Sequence, residues 1–134
     1  MTYKKDNTYK KINNLLRRVG CKLEYGIVDG EIVALCATCE FKEFVFVEHL
    51  IVRKNRRGRG NGDKMLRCIQ RCKPVLIQVK HLEDLGFYER LDYLLVGRTT
   101  IQGESVLLMS NDYYYCINNM ELIKKNINKN SFIG

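Results

Sequence analysis

The hydrophobic pattern of the chain begins at helical spacing. Ile12, Leu15, Leu16 and Val19 recur every three or four positions, which predicts an amphipathic helix over about residues 7–19, ended by Gly20. The period then shortens. Leu23 to Val28 reads as a strand, Asp29-Gly30 as a hairpin turn, and Glu31 to Glu40 as the returning strand. Phe44 to Val52 is nearly all apolar and predicts a central strand. A glycine-rich run and a helix to about Arg71 follow, and Lys73-Pro74 breaks that helix. Val75 to Val79 has the pattern of a buried strand, and the segment from β to α to β suits a crossover unit. His81 to Leu91 predicts a second helix. Tyr93 to Thr100 and Ser105 to Met109 predict a closing hairpin across Ile101-Gln102-Gly103-Glu104. Beyond it, the apolar residues Ile117, Met120, Ile123 and Ile127 fall on one helical stripe, expected to dock on the core. The order is α-β-β-β-α-β-α-β-β, with a helical extension.

Candidate chemistry concentrates at Arg57-Gly58-Arg59-Gly60-Asn61-Gly62, between the apolar strand and the helix that opens at Asp63. A glycine-rich turn into a helix aims several backbone N–H groups at one spot, and the helix dipole adds partial positive charge there. That combination is a cradle for phosphate or pyrophosphate. A P-loop is excluded, because no Lys-Ser or Lys-Thr follows the glycines. The dinucleotide fingerprint also fails, because its third glycine is absent.

Arg57-x-x-Gly60-x-Gly62 resembles the Gln/Arg-x-x-Gly-x-Gly/Ala motif of the GNAT acetyltransferases. Downstream, Phe87-Tyr88-Glu89-Arg90-Leu91-Asp92-Tyr93 looks like that family's Phe-Tyr-Glu-x-Leu-Gly-Phe signature, with Asp92 for the glycine and Tyr93 for the phenylalanine. The resemblance covers roughly residues 22–110. It implies an α/β fold of the α+β kind: a mixed, mostly antiparallel central sheet flanked by helices, with a shortened N-terminal region. Residues 1–110 would form the GNAT-like domain, and 111–134 a C-terminal extension. It implies an N-acetyltransferase that uses acetyl-CoA as co-substrate and a primary amine as acceptor, by direct attack in a ternary complex. The abbreviated front end suits an open acceptor side, and so a protein or peptide amine.

The resemblance also implies roles. Arg57, Gly58, Arg59, Gly60, Asn61, Gly62 and Asp63 would hold the pyrophosphate. Leu50 would offer a backbone N–H to the oxyanion, and Ile51 and Val52 would run beside the amide arm of coenzyme A. Tyr88 would face the sulfur as the acid. The base is left open by the residues. Glu48 is the one acid in an otherwise apolar strand, where burial without a role is costly and would raise its pKa. His49 is expected on the opposite face unless a β-bulge re-aims the pair. His81 is a third candidate. The family asparagine that often follows the later strand is missing, with Gln78 or Lys80 nearby instead.

Composition modifies this picture in a few places. A chain of 134 residues is expected to be one domain with a real core. No apolar run approaches a membrane span, and Met1 to Asp6 lacks a signal-peptide core, so the expected setting is cytoplasmic with all six cysteines reduced. Cys36 and Cys39 suggest half a zinc site, but positions i and i+3 of a strand point to opposite faces, so no metal is expected. The net charge of +8 leaves nucleic acid open as a less favoured partner. Exposed strand edges make a homodimer a further option. Two rival readings remain at this point: a coenzyme A-binding regulatory domain without turnover, and a basic nucleic-acid-binding module.

Overall fold

A computed structural model of the chain describes residues 21–69 and 73–129. The helix expected over residues 7–19 lies outside them. Six strands form one sheet: β1 Cys21–Val28, β2 Glu31–Glu40, β3 Val45–Val52, β4 Val75–Val79, β5 Leu94–Ile101 and β6 Glu104–Ser110. Among the described residues three helices accompany them: α1 Asn61–Ile69, α2 Leu85–Glu89 and α3 Tyr113–Lys129. The sheet order is β1-β2-β3-β4-β6-β5. Among the described residues only β3 and β4 run parallel, joined by the crossover through α1. The expected mixed, mostly antiparallel sheet with flanking helices is therefore present.

Both hairpins turn through residues with positive φ, Asp29-Gly30 and Gln102-Gly103. That geometry matches the twist of the strands they join. Side chains alternate across the sheet as a period of two requires. Val47, Val75 and Ile77 join Met65 and Leu66 of α1 and Tyr88 and Tyr93 in one core. Phe46, Leu76 and Leu108 face the other way, toward Cys116, Ile123 and Ile127 of α3.

Several elements depart from the sequence pattern for local reasons. The helix expected from His81 to Leu91 is shorter, a 3-10 turn over Leu82–Asp84 followed by α2. The chain leaves α2 through Asp92, whose φ of 66° is left-handed. Asp tolerates that region better than most residues, which is why it can stand where the family signature has glycine. In α3 the expected stripe fails at Ile117, which is half exposed, while Cys116 is buried instead. The buried set Cys116, Ile123 and Ile127, with Met120 packed against it, keeps regular helical spacing, and a separate irregularity lies at Asn119. Its φ of −128° interrupts the helix, and its side-chain amide donates to the Tyr115 carbonyl at 2.8 Å. The helix N-terminus is capped by Asp112, whose carboxylate accepts from the Tyr115 N–H at 3.1 Å.

Cys36 lies in the α1-side core and Cys39 in the α3-side core, on opposite faces as their spacing requires. Cys39 is disulfide-bonded, which corrects the expectation of six reduced thiols. Among the described residues, no helix is long and apolar enough to cross a membrane.

Candidate functional site

The site is built where β3 ends. After Val52 the backbone makes a 3-10 turn over Lys54–Arg56 and then extends at Arg57. Gly58 and Gly60 follow at φ 77°, a left-handed conformation that glycine adopts without a Cβ clash. α1 starts at Asn61. Side chains fix this path from both sides. The Arg57 Nε donates to the Val52 carbonyl at 3.0 Å, and the Asn61 amide donates to the Arg56 carbonyl at 3.0 Å. Arg56 pairs with Glu31 of the first hairpin at 2.5 Å, and the buried Arg53 stands 3.9 Å from the same carboxyl. The hydrogen bond from Arg56 holds the Glu31 carboxyl below its ordinary value.

This loop forms one wall of a cleft of about 580 Å³. Leu50, Ile51 and Val52 form its floor, and Arg56, Arg57, Gly58, Gly60, Asn61 and Gly62 surround its anion end. Asp84, Phe87, Tyr88 and Arg90 supply the facing wall. Arg59 and Asp63, also expected at the loop, do not line it. Arg59 is exposed, and Asp63 pairs with Arg67 one helical turn on. Gly62 is needed for a reason the sequence did not indicate. A Cβ there would stand 2.9 Å from Phe87 Cζ, so α1 and α2 meet at the missing side chain. A Cβ on Gly60 would meet nothing.

Tyr88 is buried against Tyr93, with its ring edge-on to Phe87. Burial, then the Asp84 carboxylate, pushes its hydroxyl well above the ordinary phenol value. The hydroxyl therefore stays protonated at any physiological pH and is available as a hydrogen-bond donor, whereas full transfer of its proton to a thiolate, whose ordinary conjugate-acid pKa is near 8.5, runs uphill.

The other expected site residues sit just upstream on β3. Ala37 pairs with His49, but its neighbour Thr38 pairs with Val47, so Glu48 is an extra residue, a β-bulge. This is the exception that the expectation of opposite faces allowed for. Glu48 and His49 line the same recess of about 140 Å³, with Gln78, Lys80, Ile101, Gln102 and Glu104. Lys80 and Glu104 are paired at 2.9 Å on its rim, and Lys80 lowers the Glu104 carboxyl. β3 and β4 pair only from Val45–Val75 to Val47–Ile77 and then separate. At the point of separation the Gln78 side-chain amide donates to the Glu48 carbonyl at 2.7 Å. Recess and cleft thus lie along one strand, Glu48 and His49 in the first and Leu50 to Val52 in the second.

A solved structure of a GNAT-family protein from Bacteroides thetaiotaomicron superposes with a TM-score of 0.68 at 18% identity, covering 94% of this chain and 92% of that one. The chain has the GNAT fold. A GNAT acetyltransferase from Elizabethkingia anophelis, solved with acetyl-CoA bound, superposes at 0.59 and 12% identity, over 78% of this chain and 83% of its own. By sequence, 60 residues are 35% identical to YjbC of Bacillus subtilis, a protein named as an acetyltransferase; they span 38% of this chain and 31% of that relative. No family model matches the chain. Within the GNAT fold, the residues that sequence reasoning missed are Arg56, Asp84, Phe87 and Arg90. Arg90 was accessible as the variable position of the second motif. Arg56 was not, because five cations lie between Arg53 and Arg59 and nothing local says which one turns inward.

Proposed function

We propose that this chain is an acetyl-CoA-dependent N-acetyltransferase that passes the acetyl group to a primary amine by direct attack. The observation that carries this reading is a single cleft holding three parts of the chemistry. A left-handed glycine loop at a helix N-terminus takes a pyrophosphate. The strand segment Leu50–Val52, past the end of the β3–β4 ladder, offers backbone groups to an extended amide arm. Tyr88 holds a proton facing the same space.

The bond bookkeeping is short. The amine nitrogen forms a bond to the acetyl carbon, and the carbon–sulfur bond breaks. The amine loses a proton, accepted by Glu48 or His49 directly or through water. The sulfur leaves as a thiolate that accepts a hydrogen bond from the Tyr88 hydroxyl and is protonated by solvent as it departs. A backbone N–H near Leu50 stabilises the oxyanion between these events. The recess is small and its mouth carries Lys80 and Glu104, so only the amine-bearing tip of an acceptor enters. A protein or peptide amine satisfies that geometry.

The test is calorimetric titration of acetyl-CoA into the wild type and into Gly60→Glu, followed by thiol release with amine acceptors. Specific binding abolished by Gly60→Glu supports the reading. No binding by the wild type refutes it.

A further inference from the structure

β5 ends the sheet. It pairs with β6 along one side, and among the described residues no strand pairs with the other. Its first two residues, Leu94 and Leu95, are exposed. Leu94 stands opposite Ser110, the last residue of β6, and α3 opens three residues later with Tyr113. The start of α3 therefore lies beside the start of β5. Contacts tell the two flanks of this helix apart. The Tyr115 hydroxyl donates to the Glu43 carboxylate at 3.4 Å, reaching toward the loop between β2 and β3. Met120 lies over Gly97 of β5, where a Cβ would meet its Cε at 3.1 Å. At about 100° per residue, Ile117 sits roughly 200° round from Tyr115, on the β5 side. Tyr113 and Tyr114, four and three residues before Ile117, share that flank, and their rings meet edge-on with centroids 5.7 Å apart.

Leu94, Leu95, Tyr113, Tyr114 and Ile117 thus make one apolar patch that runs from the sheet edge onto the helix. They are five of the nine large hydrophobic residues exposed among the described residues, at 40–79% each. Single exposed apolar residues are ordinary, whereas a contiguous patch of several hundred Å² is where partners bind. At about 200 Å² per large side chain, these fractions amount to roughly 500 Å².

Area, charge and position say what covers it. Two such patches face to face bury about 1,000 Å², the size that a specific interface must reach. The rim carries both signs of charge. Arg98 on β5 and Glu121 on α3, one turn beyond Ile117, are exposed and have no ion pair among the described residues. A contact between identical patches needs both halves of each complementary pair on one surface, and this surface has them. The chain's own ends start elsewhere. Residue 21 opens β1 at the opposite edge of the sheet, five strand spacings or about 24 Å away. Asn128 lies beside Thr99, toward the other end of β5.

We propose that this patch joins two copies of the chain about a two-fold axis. β5 is bulged at Val96, since Leu95 pairs with Met109 and Gly97 with Leu108. A bulge discourages the addition of a strand, so the copies meet through side chains rather than by extending the sheet. The inference does not rest on the transferase reading.

The experiment is sedimentation velocity of the full chain from about 1 to 100 µM, which brackets the micromolar dissociation constant of an interface at the small end of the range. The wild type should approach twice the chain mass at the upper end. Ile117→Asp should weaken association at least about tenfold, by placing a charge in the centre of the contact. Leu122→Asp is the control. Leu122 is exposed on the same helix but follows Tyr115 by seven residues, on the flank away from β5, so association should stay within about twofold. If Ile117→Asp does not fold, Tyr114→Ser is read in its place with the same expectation. A wild type that stays monomeric throughout overturns the inference, whether the patch is bare or covered by the chain's own ends. So does a dimer that survives the patch substitution, or one that Leu122→Asp disrupts equally. Assembly that continues past the dimer also overturns it, because the contact is then head-to-tail.

Discussion

Gly62→Ala offers the sharpest test of how the phosphate loop is anchored. The added Cβ would lie 2.9 Å from Phe87 Cζ and 3.4 Å from Val52 Cγ2, inside the roughly 3.5–4.0 Å of an ordinary carbon contact. Relief requires Phe87 or the start of α1 to move by more than half an ångström. Overpacking of this kind costs about 1–3 kcal/mol. Against it stands the helix preference for Ala over Gly, up to about 1 kcal/mol and less at the second helical position. The net expectation is a loss of about 1–2 kcal/mol in urea unfolding. Acetyl-CoA affinity should fall too, because Phe87 and Gly62 both line the cleft. The decisive step repeats the substitution in a Phe87→Leu background, where the atom at 2.9 Å is gone. There Gly62→Ala should be neutral or slightly stabilising, giving a coupling of about 1–2 kcal/mol between the two positions. An equal cost in both backgrounds would refute the contact as the reason for the glycine. Gly60→Ala is the control. Its Cβ meets nothing, so its cost of about 1–2 kcal/mol comes from φ 77° alone and should not depend on Phe87.

Further expectations concern the rest of the site. Tyr88→Phe should lower kcat by about a hundredfold or more with little change in acetyl-CoA affinity, measured by thiol release. Because burial raises the Tyr88 hydroxyl above its ordinary value of 10.0, its loss of a proton should not limit the wild-type rate on the alkaline side up to that pH. Glu31→Gln should destabilise the chain near neutral pH and weaken acetyl-CoA, by releasing Arg56 from the cleft wall. Arg56 lowers the Glu31 carboxyl, so its contribution is complete above the ordinary value of 4.5 and disappears as pH falls through the lowered one. Urea unfolding of both proteins across that range should therefore converge in acid, and a constant difference would contradict the pairing. Cys68 is exposed whereas Cys36 and Cys116 are buried with raised thiol values, so a thiol reagent should label Cys68 before either of those two in the native protein.

The fold was legible wherever one residue type answers to one local constraint. Apolar runs bounded by turn and breaker signals marked β2 and β4 to the residue, Asp29-Gly30 and Gln102-Gly103 marked the turns, and spaced glycines marked the anion cradle. What escaped depends on partners distant in sequence. The bulge at Glu48 is completed by pairing with β2, and it brings Glu48 and His49 to one recess. The inward turn of Arg56 depends on Glu31, 25 residues earlier. Ile117 and Cys116 both lie within one helical turn before Met120, so the apolar stripe alone does not say which of them is buried. Gly62 reads as a phosphate contact in sequence, yet its nearest neighbour is a ring from the second motif.

The short ladder between β3 and β4 has a mechanical consequence. Three residue pairs, Val45–Val75, Phe46–Leu76 and Val47–Ile77, are the whole strand pairing between the β1–β3 half and the β4–β6 half. The sheet is therefore built like a book with a short spine, whose pages fall open toward the Gln78 end. A molecule lying in that opening touches both pages and acts as a clasp. Binding would then slow hydrogen exchange at the spine amides of Phe46 and Val47 as well as at the cleft, because any opening that parts the pages must first release the clasp.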